Sequence, residues 1–293
     1  MLTEKDLNSL CKTAKRAAIA AGEYIQSQFD QHYQKEQKES GDSLASQVVT
    51  AVDYKAQEII LQHLKDSIKE YDLGVLTEEA ADDASRLEKD HFWCIDPLDG
   101  TLAFTQGRTG YAVSIALVSK SGDPLIGVVY IPDLGDCYTS IKGKGLLLND
   151  KAFKRNTGKA DVLKVYMDRS LQSTPYFDLL KKELQIWTDE KEKKLEYQLG
   201  YGAVRNAIAV LNNPMACYFK FPKKKKGGGS IWDFAATRLF FEELGLIVTD
   251  GFGKQLYLNN PKSTFMNQLG VLYATDPILF DFVVRLGYQI NEL

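Results

Sequence analysis

Histidine and cysteine are scarce in this chain, at three and four of 293 residues. Cys11, Cys94, Cys137 and Cys217 stand far apart among apolar neighbours, and no CxxC pair occurs. The spacing argues against a disulfide framework and fits reduced, buried thiols. His32, His63 and His91 lie outside every motif described below, and no Ser-His-Asp or Cys-His arrangement is apparent. Also absent is any run of ~20 apolar residues that would span a bilayer. The start, Met1-Leu2-Thr3-Glu4-Lys5-Asp6, lacks the basic, then apolar pattern of a secretory signal. A cytoplasmic location is therefore expected. An excess of one charge sign is missing too: the formal net charge is -3. This balance does not favour a nucleic-acid polymer or an anionic membrane as partner. A small anionic partner would need a local cluster of positive charge, from metal ions or lysines.

The composition is that of a globular protein, 44% hydrophobic and 26% charged, and the length allows one large domain or two coupled ones. Residues 3–29 carry Leu7, Leu10, Ala14, Ala17, Ala21, Ile25 and Phe29 at helical spacing. Residues 30–47 are polar and read as an exposed loop, with a second helix from about Asp53. Strands are expected at 92–95, 111–118, 124–131 and 137–141, with a turn at Ser121-Gly122-Asp123. Beyond a soft boundary near 150–160, helices (175–186, 203–212, 233–244, 277–286) mix with short strands (216–221, 246–249, 269–274). The halves are read as 1–155 and 156–293. Strands alternating with helices predict a layered α/β fold.

Four acidic elements carry the candidate chemistry: Asp53 in VVTAVD, Glu78-Glu79, the segment Asp96-Pro97-Leu98-Asp99-Gly100-Thr101, and Asp233 in SIWDFAA. A hydrophobic strand runs into Asp96, Pro97 fixes a turn, Gly100 permits a tight backbone, and a helix follows. Carboxylate and carbonyl oxygens suit Mg²⁺, and a helix start suits phosphate. Taken alone, the segment reads equally as a turn with an N-cap. Two carboxylates ~4 Å apart repel by ~4 kcal/mol at an effective dielectric of ~20, so three or four brought together would require cations or protons.

The segment Trp93-Cys94-Ile95-Asp96-Pro97-Leu98-Asp99-Gly100-Thr101, with Trp232-Asp233-Phe234-Ala235-Ala236 downstream, resembles the two signatures of the inositol monophosphatase superfamily. Val49-Thr50-Ala51-Val52-Asp53 and Glu78-Glu79 match that family's other acidic elements in order and approximate spacing. The resemblance implies an α/β fold: the alternating αβαβα sandwich of the inositol monophosphatase and fructose-1,6-bisphosphatase type. It also implies a site for two or three Mg²⁺ ions. By motif, Glu78, Asp96, Asp99 and the Leu98 carbonyl would ligate one metal, and Asp96, Asp99 and Asp233 a second. Asp53 and Thr101 would orient or deprotonate the attacking water. The Gly100 and Thr101 N–H groups would hold the phosphate. Glu79 would stand behind the ligands, and Trp232 would pack beneath Asp233. Lithium sensitivity is expected by the same resemblance, and family members include monomers and homodimers.

For the substrate, the stretches Thr101–Phe104, Tyr111–Leu117 and Gly127–Pro132 are similar to the 3'(2'),5'-bisphosphate nucleotidases of the CysQ type. Inositol monophosphatases share much of this pattern. They also resemble one another in an acidic residue about seven positions before the C-terminal Asp, touching a sugar hydroxyl. Counting back from Asp233 gives Lys226 instead, within the run Lys223–Lys226. A cation there suits a second phosphate, while such a run also reads as a solvated loop. The expected activity is hydrolysis of adenosine 3',5'-bisphosphate by metal-activated water. Inositol or another sugar monophosphate, or histidinol phosphate, stands as the alternative. A non-catalytic phosphate-binding protein is the third reading, which no feature of the sequence favours.

Overall fold

The computed structural model describes residues 2–36, 42–225 and 227–291, and of residues 30–36 and 42–50 the backbone course only. The chain opens with two long helices, α1 (Glu4–Glu36) and α2 (Asp42–Glu70). A seven-stranded sheet follows: β1 (Gly74–Thr77), β2 (His91–Asp99), β3 (Ala112–Ser119), β4 (Pro124–Ile131), β5 (Asp136–Ile141), β6 (Leu146–Leu148) and β7 (Lys151–Ala152), ordered as in sequence. Short helices α3 (Ser85–Glu88) and α4 (Thr101–Thr105) flank β2. The β1–β2 pair is parallel and the other neighbours are antiparallel.

The second sheet is built from β8 (Val162–Met167), β9 (Lys194–Leu199), β10 (Ala216–Lys220), β11 (Ile247–Thr249) and β12 (Val271–Ala274), in the order β11-β12-β10-β8-β9. Its connections carry a 3₁₀ turn at Arg169–Ser173 and the helices α5 (Phe177–Glu190), α6 (Ala203–Leu211) and α7 (Ile231–Glu243). The helix α8 (Pro277–Asn291) closes the chain.

Strand alternation dictates the layering. On β2 and β3, Trp93, Ile95, Val113, Ile115 and Leu117 pack with Ala14, Ala17, Ala21, Ala56 and Ile60 of α1 and α2. Their alternates Phe92, Cys94, Ala112, Ala116 and Val118 pack with Val204 and Ala207 of α6 and Phe234 and Phe240 of α7. That same core takes Ala216, Tyr218, Val271 and Tyr273 from the second sheet. The other face of the second sheet, with Cys217, Phe219, Leu272 and Ala274, meets Leu180 and Leu184 of α5 and Val283 and Leu286 of α8. The result is a five-layer αβαβα sandwich, as expected, with α6 and α7 as its middle layer.

Two expectations need correction. The polar stretch read as a loop over 30–47 continues α1 to Glu36, and α2 starts at Asp42 instead of near Asp53. Gln, Lys, Glu and Ala are good helix formers without an apolar stripe, so polarity was a poor sign of a loop there. Residues 37–41 lie outside the described residues. Cys94, Cys137 and Cys217 are buried and unbridged, and Cys11 is half-buried. Among the described residues no helix is long and apolar enough to cross a membrane.

Candidate active site

The site is assembled at the end of β2. Regular alternation points Ile95 at α1 and α2, so Asp96 points at the middle layer. A residue three places on would return to the opposite face of a regular strand. The register shifts between Asp96, paired with Ser114, and Asp99, paired with Ala112. Three residues on β2 thus span two on β3, a bulge at the turn that contains Pro97. Leu98 drops into the α1–α2 core, and Asp99 faces the same layer as Asp96. Asp233, in the first turn of α7, completes the group. Carboxylate oxygens of Asp96, Asp99 and Asp233 lie within 4.8 Å of one another.

Asp96 and Asp99 are 1% and 5% exposed, and Asp233 is half-buried. One oxygen of Asp96 accepts the Leu98 N–H at 3.0 Å. The other, Oδ2, is buried without a donor. Asp99 accepts the Ala203 and Val204 N–H groups at the start of α6, each at 2.8 Å. A Cβ at Gly202 would fall 2.3 Å from Asp99 Oδ2, so only glycine lets this carboxylate reach the helix. Asp233 accepts the Ser230 N–H at 2.6 Å. Burial, and then the like charges of Glu78, Asp233 and Asp99, raise the Asp96 carboxyl well above the carboxylate range. Burial and then Asp233 raise Asp99 despite its two amide donors. Asp233 is raised by burial, against the pull of Lys220.

Glu78 follows β1, its N–H held by the Ile95 carbonyl at 3.2 Å. Its side chain is open to the cleft, and burial of the carboxylate and then the charge of Asp233 push it upward. Asp53 projects from α2 and is 5% exposed. Burial, then Glu79 and Glu78, push it to about 8. Glu79 is half-buried beside it and raised by burial. Gly100 sits at the N-cap of α4 with φ 87°. The Thr101 hydroxyl donates to the Leu98 carbonyl at 3.0 Å, so in this state it is turned to that carbonyl and not to Asp53. Trp232 packs half-buried against the middle layer, where its carbonyl accepts the Ser114 hydroxyl at 3.3 Å.

Lys226 lies outside the described residues. The cation that the structure sets beside the acids is Lys220, the last residue of β10. Its Nζ is 2.7 Å from Asp168. Burial pulls its ammonium down, but Asp168, Asp233 and Asp99 more than offset this and leave it raised. Lys220 lies 13 residues before Asp233, at the end of β10, and belongs to none of the acidic motifs. A cleft of about 370 Å³ opens over these groups, lined by Glu78, Asp99, Gly100, Arg169, Lys220 and Asp233, among others.

An all-oxygen set of converging carboxylates, one with an unsatisfied buried oxygen, is the donor chemistry of a hard divalent cation. The comparisons agree. The model of the inositol monophosphatase family matches residues 6–279. The chain is 31% identical over 216 residues to a putative Nus factor SuhB of Neisseria meningitidis serogroup B, covering 72% of this chain and 77% of the relative. It is 28% identical over 255 residues to an inositol-1-monophosphatase of Mesorhizobium japonicum, covering 86% and 90%. The crystal structure of CysQ from Bacteroides thetaiotaomicron superposes with a TM-score of 0.71 at 24% identity, covering 92% and 98%. With its matched sequence, its sandwich fold and its acidic cluster, the chain belongs to the inositol monophosphatase family of metal-dependent phosphatases.

Proposed function

We propose that the chain is a Mg²⁺-dependent 3'(2'),5'-bisphosphate nucleotidase that converts adenosine 3',5'-bisphosphate to AMP and phosphate. The observation that carries the substrate reading is Lys220. A cation beside Asp99 and Asp233 suits an ester with a second anionic group better than a neutral polyol. Glu78, Asp96, the Leu98 carbonyl, Asp99 and Asp233 are the groups that would hold two or three ions. Residues 1–155 supply most of them, and 156–293 supplies Asp233 with the specificity loop. When bound, such ions supply charge neutralisation at the phosphoryl oxygens and acidify water.

The chain's own groups do the rest. Asp53, held partly protonated near neutrality by burial and its acidic neighbours, is suited to take and return a proton. Thr101 orients the attacking water when its hydroxyl turns from the Leu98 carbonyl towards Asp53. The N–H groups of Gly100 and Thr101 hold phosphoryl oxygens. Lithium, competing at a weakly held cation position, inhibits.

The test is phosphate release with Mg²⁺, comparing adenosine 3',5'-bisphosphate with inositol 1-phosphate at matched concentrations. Faster release from the nucleotide is expected. Faster release from the inositol ester would move the substrate to the sugar monophosphates and leave the metal chemistry in place. Release from neither, with or without Mg²⁺, would overturn both.

A further inference from the structure

At the mouth of the cleft two guanidinium groups converge on one neutral acceptor. Arg108 and Arg169 both donate to Gln106 Oε1, Arg169 at 2.7 Å. Among the described residues neither forms an ion pair. The nearest acid in sequence, Asp168, is held by Lys220 at 2.7 Å and by the Tyr218 hydroxyl at 3.1 Å. Both arginines are half-buried, and two like charges on a single amide oxygen repel. An anion placed between them would relieve that repulsion and accept forked hydrogen bonds from both.

The segment Gly200-Tyr201-Gly202 relates this pair to the acidic cluster. A Cβ at Gly200 would lie 3.0 Å from Arg169 Nε and 3.3 Å from Arg108 Nη1. Gly200 has φ 99°, a conformation that favours glycine. Gly202, two residues on, touches Asp99. Two residues span at most about 7 Å. The arginine pair and Asp99 therefore abut one three-residue segment, Gly200 beside the guanidinium groups and Gly202 beside the carboxylate. A substrate reaching both would present one anionic group to the arginines and its reacting phosphoryl group to the acidic cluster.

We infer that Arg108 and Arg169 form the subsite for the second, non-reacting phosphoryl group of a nucleoside bisphosphate; this rests on the nucleotidase reading above. Lys220, paired with Asp168, the residue before Arg169, is a further cation lining the same cleft. Without a carboxylate partner among the described residues, the arginine pair adds to Lys220 in distinguishing a bisphosphate from a monophosphate.

The experiment compares kcat/KM for adenosine 3',5'-bisphosphate and adenosine 3'-monophosphate, with Mg²⁺, in the parent protein and in Arg169→Gln, Arg108→Gln and Arg169→Lys. Each glutamine variant is expected to lose about ten- to hundredfold on the bisphosphate, mainly through KM. The monophosphate, which also reports that the variants are folded, should change less than about twofold. Arg169→Lys should recover part of the loss, because charge is kept and the fork is not. Equal loss on both esters, or no loss on either, overturns the subsite while leaving the phosphatase intact. A parent protein that hydrolyses both esters equally overturns it too. No turnover of either ester withdraws the nucleotidase reading and the subsite with it, while turnover of inositol 1-phosphate would leave the phosphatase in place.

Discussion

Asp96 holds a buried oxygen without a donor, within reach of two other carboxylates. Nothing in packing rewards that placement, so its cost is the trace of function. Asp96→Asn keeps the oxygen that accepts the Leu98 N–H and replaces the orphaned one with a donor amide facing acids. Phosphate release should vanish, while the metal-free protein should gain about 1–3 kcal/mol. Denaturant unfolding in EDTA at pH 8 checks the second half. A loss of stability there would mean that the acids are not strained against one another. The acidic residues were readable from the motifs: Glu78, Asp99 and Asp233 line one cleft, with a carboxylate oxygen of Asp96 within 4.8 Å of Asp99 and Asp233 and Asp53 influenced by Glu78 and Glu79. Lys220, Arg108 and Arg169 were not, because each enters by tertiary placement and none belongs to a motif. Lys226, selected by an ungapped count back from Asp233, lies outside the described residues.

At the scale of elements, the site depends on how closely α7 lies on the first sheet. Gly127, on β4 opposite Ala116, faces α7. A Cβ there would stand 2.9 Å from the Ala236 carbonyl and from Phe240. Gly127→Val should therefore lift α7, at a cost of about 1–3 kcal/mol, and move Asp233 with it. The expected readout is a rise in the Mg²⁺ concentration for half-maximal activity together with a lower thermal midpoint. Unchanged Mg²⁺ dependence in a destabilised protein would show that α7 tilts about Asp233 without carrying it. The strands of the first sheet were legible where alternation was clean, as in β3 and β4. The bulge in β2 was hidden, since a three-residue spacing of acids looks like a turn until the pairing partner is known. β1 is four residues long, and β9 is an edge strand with exposed or half-exposed side chains. Neither carries enough apolar residues to announce itself. The start of α2 escaped because Leu44, Val48 and Val52, though at helical spacing, are scattered among serines and other polar residues.

For the whole molecule, the raised carboxyls link folding to pH and to cations. Asp53 is held at about 8, and Asp96 and Asp99 are raised as well. Unfolded, such groups titrate near 4. Between those values the folded, metal-free chain binds more protons than the unfolded one, so its stability falls as pH rises. The stabilising protonation is complete below about pH 4 and is lost through about pH 8. A tenfold difference in proton affinity between the folded and unfolded chain is worth about 1.4 kcal/mol, so the combined loss is on the order of several kcal/mol. A bound divalent ion replaces those protons, and it stabilises by mass action. Thermal midpoints measured in EDTA should decline from pH 5 to pH 8, and saturating Mg²⁺ should remove most of that decline. The gap between the two curves should therefore widen with pH, and narrow again in Asp96→Asn. Parallel curves would mean that Mg²⁺ binds away from these carboxylates. A widening gap would tie cation affinity, stability and the acidic cluster to one set of side chains.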